Sequence, residues 1–280
     1  MPELPEVETV CRLLRQVLVG NRLSDVEVAS DDIVFKGQPS EAIRAGLEGR
    51  TVTSVGRKGK FWWLDFSDGP AFIGHLGMTG WIFEPGVENA KLLEHGNAPR
   101  LDPEGRPRFL KVWWRVESGR SVAFVDGRRL ARAWFSDDPL AEKSLAQMGP
   151  DVWSEPRSPE ALSKILAKRA APMKALLLDQ KLFCGIGNYL ADEVLFQARI
   201  APTREGSSLT ANDIDRVLEA IRLVVGHAIE VEADYQRFPV DWLFHARWGG
   251  SKGEEQIEGH PIRREEIGGR TTAWVPSLQK

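Results

Sequence analysis

The chain has 280 residues, 42% hydrophobic and 28% charged, with a net charge of −3. No apolar run approaches the length of a membrane span, and the N-terminus has no charged-then-apolar signal pattern, so neither a spanning helix nor a signal segment is expected. Only Cys11 and Cys184 could pair, which gives no disulfide framework and suits a reducing, intracellular setting, in the cytoplasm of a bacterial-type cell or the nucleus of a eukaryotic one.

The length suits two domains with a small appendage. Val7, Val10, Cys11, Leu14 and Val17/Leu18 recur at a helical period, which predicts a helix over Pro5–Val19 ended by Gly20. From Leu23 to Phe135 the pattern turns to short β-rich runs. They are Val26–Ala29, Thr51–Val55, Phe61–Phe66, Ala71–His75, Trp81–Phe83, Leu110–Val116, Ser121–Val125 and Arg132–Phe135, as in a two-layer sandwich or barrel. Glu84 to Pro107 reads as a long loop. Beyond Ser136 the period is helical. Ser158-Pro159-Glu160 and Thr210 with Asp213 are helix starts, and helices also fit Met173–Leu178 and Tyr189–Ala198. The tail from His245 has strand-like pieces around Ile257–Arg263 and Thr271–Trp274 and reads as one hairpin. The boundaries fall at 1–136, 137–240 and 241–280.

The opening Met1-Pro2-Glu3-Leu4-Pro5-Glu6 is chemically suggestive. Met is trimmed before a small residue, which leaves the secondary amine of Pro2 at the terminus. An α-amino group titrates near pH ~8, against about 10.4 for lysine, so part of it is nucleophilic at neutral pH. A secondary amine that attacks a carbonyl-type carbon gives a cationic iminium, an electron sink, and Glu3 and Glu6 bring carboxylates for proton transfer. The plainer alternative is a helix start with Pro5 in its first turn and acids near its positive end. A structure that buries residue 2 inside a core, or leaves it far from both Lys60 and the Asn188 turn, would end the catalytic alternative.

Lys60, in Gly56-Arg57-Lys58-Gly59-Lys60-Phe61, is either a solvated strand end or a cation that touches phosphate or moves a proton. Met78, in His75-Leu76-Gly77-Met78-Thr79-Gly80, is a core plug or an exposed wedge, and the core plug is preferred on sequence alone. Asp126-Gly127-Arg128-Arg129-Leu130 forms a second turn. Between Arg100 and Arg132 there are nine Arg or Lys against four acids, a basic face suited to a nucleic-acid backbone or simply a solvated strand surface. Gly185-Ile186-Gly187-Asn188 makes a tight turn before a helix with Asn188 at its N-cap, a site suited to phosphate.

Together MPELPEVETV, GRKGKF, HLGMTG, DGRRL, DQKLFCGIGNYLADEVLFQARIAP and GGRTTAW resemble the formamidopyrimidine-DNA glycosylase/endonuclease VIII family over nearly the whole chain. The resemblance implies a multi-domain α+β fold. It comprises an N-terminal β-sandwich with a long helix, a helix-two-turn-helix domain and a C-terminal antiparallel hairpin finger, with DNA between the domains. It implies a bifunctional DNA glycosylase/AP lyase of base-excision repair, a monomer acting on double-stranded DNA with oxidised or abasic sites and making no membrane contact. Pro2 would attack C1′, Glu3 would protonate the sugar, Glu6 would support the pocket, and Lys60 would act as general acid. Gly187 and Asn188 would bind phosphate, as would Arg270, which also assists δ-elimination. Met78, Arg128 and Leu130 would fill the gap left by the flipped base.

Two departures from the family pattern stand out. The four positions at which many members carry zinc-binding cysteines fall on Glu255, Glu258, Val275 and Leu278, so no metal and no cofactor are expected. This resembles the zincless-finger branch, with Trp248, Trp274, Ile262 and Val275 as apolar fillers. Leu130 stands where many 8-oxoguanine-directed members have an aromatic wedge, and the Val231–Arg247 segment is short. Ring-opened purines, further-oxidised guanines or oxidised pyrimidines are then at least as well suited as 8-oxoguanine. The competing readings are a damaged-DNA-binding protein that does not cut and a tryptophan-rich adaptor.

Overall fold

The computed structural model describes residues 2–87, 101–248 and 255–280. Its contacts divide the chain into two compact units, residues 1–147 with 232–235, and residues 148–231 with 236–280. The tail expected as a third domain belongs to the second unit.

The first unit opens with α1 (Leu4–Leu18), whose first turn contains Pro5 and whose Val7, Val10, Cys11, Leu14, Val17 and Leu18 are all buried. This is the predicted apolar stripe, and shortening one of its leucines, such as Leu14→Ala, would cost about 2–5 kcal/mol. The unit continues with β1 (Leu23–Val28), α2 (Ser40–Leu47), β2 (Val52–Lys58), β3 (Phe61–Phe66), β4 (Ala71–His75), β5 (Trp81–Phe83), β6 (Leu110–Val116), β7 (Ser121–Val125), β8 (Arg132–Ser136) and α3 (Lys143–Ala146). Two antiparallel four-stranded sheets form, ordered β1-β6-β7-β5 and β2-β3-β4-β8. Trp62 from one sheet meets Trp114 from the other edge-to-face at 6.3 Å between ring centres, in the middle of a continuous apolar core. Gly74 makes room for this, because a Cβ there would fall 2.3 Å from the Trp62 ring. α2 was not expected. It interrupts the β-rich stretch and buries only Ile43 and Leu47, too little to stand out as a period.

The second unit comprises α4 (Pro159–Leu166), α5 (Met173–Leu178), α6 (Asn188–Gln197), α7 (Ala211–Glu230) and α8 (Leu243–Ala246). These are followed by β9 (Gln256–Ile257), β10 (His260–Pro261), β11 (Arg263–Ile267) and β12 (Arg270–Trp274). Ser158 caps α4 by accepting the Ala161 amide, and Thr210 with Asp213 forms the expected capping box of α7. The tail is not one hairpin but two, β9 with β10 and β11 with β12. Gly268 and Gly269 both take positive φ, 63° and 75°, as the two-residue turn of the second hairpin requires. Among the described residues no helix is long and apolar enough to cross a membrane.

Candidate active site

The N-terminus of α1 is sunk in the first unit, with Pro2, Glu3, Leu4, Pro5, Glu6 and Val7 all buried. Glu6 is held from two sides. One carboxylate oxygen accepts the Glu3 amide at 2.8 Å, and the other accepts the Tyr235 hydroxyl at 3.1 Å. Tyr235 is itself buried, in the short segment 232–235 that joins the first unit from far along the chain. No sequence motif pointed to it. Pro2 is therefore less open than a free terminus was expected to be, because the whole first turn of α1 is sunk into the fold. Its neighbours along the chain include two buried carboxylates, Glu3 and Glu6, which form the capping box of α1, as the plainer helix-start alternative also has it.

Lys60 lies in the two-residue turn between β2 and β3, where Gly59 has φ 57°. That turn is clipped to α1. Arg57 donates to Glu8 at 2.8 Å and to the Gly59 carbonyl at 3.0 Å, and Arg15 donates to the other Glu8 oxygen at 2.7 Å. Burial opposes ionisation of Glu8, but the Arg57 and Arg15 hydrogen bonds outweigh it and hold the carboxyl below its usual range. Glu8 and Arg57 thus fix the Lys60 turn relative to the helix that carries Glu3 and Glu6. Both lie inside quoted motifs, but nothing in their spacing revealed that they pair.

The turns bearing Met78 and Leu130 share one organiser, the buried carboxylate of Asp126. One of its oxygens accepts the Thr79 hydroxyl at 2.6 Å and the Arg128 amide at 3.1 Å. The other accepts the Leu130 and Ala131 amides, both at 2.7 Å. Gly77 completes the junction, since a Cβ there would sit 2.3 Å from the Leu130 carbonyl oxygen. Held this way, Met78 is 43% exposed and Leu130 37%, with Arg128 exposed beside them. Met78 is therefore not the core plug preferred from sequence. At the base of the first turn, His75 Nδ1 accepts the Gly77 amide at 2.9 Å. Burial, followed by the nearby Lys60 and Arg132 charges, pushes its pKa down to about 4, so the ring is neutral at pH 7.

The basic stretch is less free than its count suggested. Lys111 and Arg129 both bind Asp31, at 2.8 and 3.0 Å. Burial works against Asp31's charge, yet these two cations and the Val34 amide hold its carboxyl far below the usual range. Arg120 forms a two-pronged pair with Glu84, Arg115 bonds Asp25 at 2.5 Å, and Arg106 bonds Glu27. Among the described residues Arg108, Arg128 and Arg132 are left outside these pairs, and Arg100 lies outside the described residues. The remainder of the surplus is a paired strand surface.

In the second unit the turn before α6 is laced by Gln180. Its amide nitrogen donates to the Leu178 and Ile186 carbonyls at 3.0 and 2.8 Å, while its oxygen accepts the Gly185 amide at 3.0 Å. Gly185 takes φ 105°, a conformation that favours glycine. Gly187, not Asn188, is the N-cap, and Asn188 is the first helical residue. The Asn188 side chain donates to the Thr271 carbonyl at 3.0 Å, so the turn is stitched to β12 next to Arg270. Arg270 itself is exposed just after the Gly268-Gly269 turn. Beneath both, the fully buried Lys174 donates to the Asn188 carbonyl at 2.9 Å and to Asp192 at 2.5 Å, and Asp192 also accepts from Arg247 at 2.8 Å. The structure thus brings Asn188 and Arg270 together. The Lys174–Asp192–Arg247 cluster that supports them had no signature in the sequence.

The finger's donor set does not suit zinc. Glu258 is engaged by Arg199 at 3.0 Å, and Val275 is fully buried in an apolar cluster with Ile257, Ile262, Ala273, Leu243 and Phe196. Gln279 braces this cluster by accepting the Val275 amide and donating to the Ile200 carbonyl. Ile262 and Val275 are fillers as expected, and Trp274 is buried with its indole N–H donated to Glu265. Trp248 is not a filler. It is 49% exposed, with the Arg247 guanidinium over its ring.

The chain matches two family descriptions, the formamidopyrimidine-DNA glycosylase N-terminal domain over residues 1–133 and the formamidopyrimidine-DNA glycosylase H2TH domain over residues 148–239. Over its full length it is 36% identical to a formamidopyrimidine-DNA glycosylase of Arabidopsis thaliana, covering 71% of that protein. It is 33% identical to one of Thermus thermophilus, covering 98% of it. Among solved structures it is similar to Lactococcus lactis formamidopyrimidine-DNA glycosylase non-covalently bound to DNA containing an AP site. That similarity has a TM-score of 0.79 and 25% identity, with both chains covered completely.

Proposed function

The chain belongs to the formamidopyrimidine-DNA glycosylase family, and from that premise we propose that it is a bifunctional DNA glycosylase and AP lyase of base-excision repair. Its substrate is double-stranded DNA carrying an oxidised base or an abasic site. The observation that supports this reading is the start of α1, where two buried carboxylates closely follow residue 2 in the chain and Glu6 is fixed by both the Glu3 amide and the Tyr235 hydroxyl, the second reaching it from far along the chain.

After removal of Met1, the Pro2 nitrogen attacks C1′ and the C1′–base bond breaks, with Glu3 protonating the sugar ring oxygen so that the ring opens to an iminium. The iminium makes the C2′ proton acidic. Loss of that proton expels the 3′ phosphate, with Lys60 as the acid that assists the step. Glu6 orients the terminus. Gly187, Asn188 and Arg270 bind phosphate, and Arg270 assists a second elimination on the 5′ side. Met78, Arg128 and Leu130 occupy the space vacated by the flipped nucleotide, at a cost of a few kcal/mol for the unstacked step.

The protein acts as a monomer without cofactor or zinc, and apolar packing substitutes for metal in the finger. Its two free, buried cysteines support an intracellular setting, either bacterial-type cytoplasm or eukaryotic nucleus. The aliphatic Leu130 favours ring-opened purines, further-oxidised guanines and oxidised pyrimidines at least as much as 8-oxoguanine.

Borohydride trapping on abasic-site DNA tests the central step. Wild type should form a covalent adduct, and Pro2→Gly or a blocked N-terminus should abolish it. Absence of an adduct with wild type would remove the enzymatic reading. Elemental analysis should find no stoichiometric zinc, and chelators should leave cleavage intact; about one zinc per chain would overturn the reading of the finger.

A further inference from the structure

Beside the Asp126 turn stands an aromatic residue that no motif singled out. Phe109 is 60% exposed, the most exposed aromatic among the described residues, and its backbone lies in the left-handed region at φ 60°. That region is uncommon for any side chain and a genuine outlier for a bulky one. Local structure enforces it. The Phe109 carbonyl accepts the Asp126 amide at 3.0 Å, and the β6–β7 pairing is irregular between Leu110 and Val112. The ring lies over Gly127, where a Cβ would come within 3.3 Å of it, and the Arg108 guanidinium sits 5.3 Å from its centre. A fold has no packing reason to hold a large apolar ring in water on a strained backbone. Such strain persists where the surroundings over-determine it, and it clusters at functional sites.

We infer that Phe109 is a DNA-contacting residue of this enzyme, stacking its ring on a base at the gap opened by Met78, Arg128 and Leu130. Three observations favour a base stack as the occupant. Met78, Leu130 and Phe109 are exposed apolar side chains set around the same buried Asp126. Arg108 and Arg128 flank them with positive charge suited to phosphates, and a flat ring matches the π-face that every base offers. The inference rests on the proposed glycosylase activity and adds a stacking element to it.

The test compares Phe109→Ala, Phe109→Gly and Phe109→Trp with wild type under single-turnover conditions. One duplex carries a single formamidopyrimidine and the other a preformed abasic site. Loss of the ring should slow base excision roughly tenfold, the size expected for one stacked base, while abasic-site cleavage changes less than about twofold. Phe109→Trp should restore excision. Phe109→Gly should melt higher than Phe109→Ala because it relieves the backbone strain, yet excise no faster. Excision by Phe109→Ala within about twofold of wild type would overturn the inference, given a stacking effect of this size. So would an equal loss on both duplexes with a lowered melting temperature, which marks a packing role. If wild type itself forms no borohydride adduct, the enzymatic reading fails rather than this one.

Discussion

The start of α1 and the paired turns around Asp126 solve opposite problems with the same device, a buried carboxylate surrounded by donors. At α1 the carboxylate of Glu6 holds the amino-terminal end, the proposed reacting end, inward, and every residue from Pro2 to Val7 is buried. At the turns the carboxylate of Asp126 ties down the backbone so that Met78, Arg128 and Leu130 project outward. Bond-making groups need exclusion of water and fixed geometry. Groups that enter a base stack need exposure, but on a frame stiff enough to hold their positions against the stack.

Separating chemistry from base displacement breaks this comparison most sharply. Glu3→Gln should lower base excision by roughly a thousandfold, the scale of a lost proton donor, with little change in DNA affinity; single-turnover kinetics and a binding titration read the two apart. Asp126→Ala removes an acceptor from three amides and a hydroxyl at once. It should cost about 3 kcal/mol in urea unfolding and reduce excision more than abasic-site cleavage. Tyr235→Phe removes one hydrogen bond to a carboxylate and should lower kcat about tenfold at unchanged KM. An equal change in both constants would make Tyr235 a binding residue instead.

The turns should also respond to acid. His75 has its pKa depressed from the usual 6.5 to about 4, by burial first and then by Lys60 and Arg132. The unfolded chain therefore binds the proton more readily than the native one between those values. Stability is fully present above about pH 6.5 and declines as pH falls through 4. His75→Gln should flatten that part of the curve in thermal melts. Arg128→Ala has the smallest expected effect. It should reduce the slope of log K against log salt by about one, whereas Arg129→Ala, already committed to Asp31 and Asp32, should not.

The architecture was largely readable from periodicity. Strands such as Phe61–Phe66 and Leu110–Val116 fall where alternation and aromatic content put them, because each buries one face in a shared core. α2 escaped because a short helix with two buried residues has no period to detect. The pocket residues Pro2, Glu3 and Glu6 were visible as a local cluster, but their partner Tyr235 was not, since a contact spanning that much sequence leaves no spacing rule. The basic stretch misled for the same reason. Its neutralising acids, Asp25, Glu27, Asp31 and Glu84, come from other strands and loops, so a count along one segment overstated the free charge.

The detour that returns residues 232–235 to the first unit has a consequence for synthesis. While the ribosome is still making the helical half, the amino-terminal sandwich can assemble its sheets, yet Glu6 has no hydroxyl to receive. A nascent or prematurely terminated product ending before Tyr235 therefore lacks the hydroxyl that Glu6 accepts in the finished fold, so this end of α1 is completed only when most of the message has been translated.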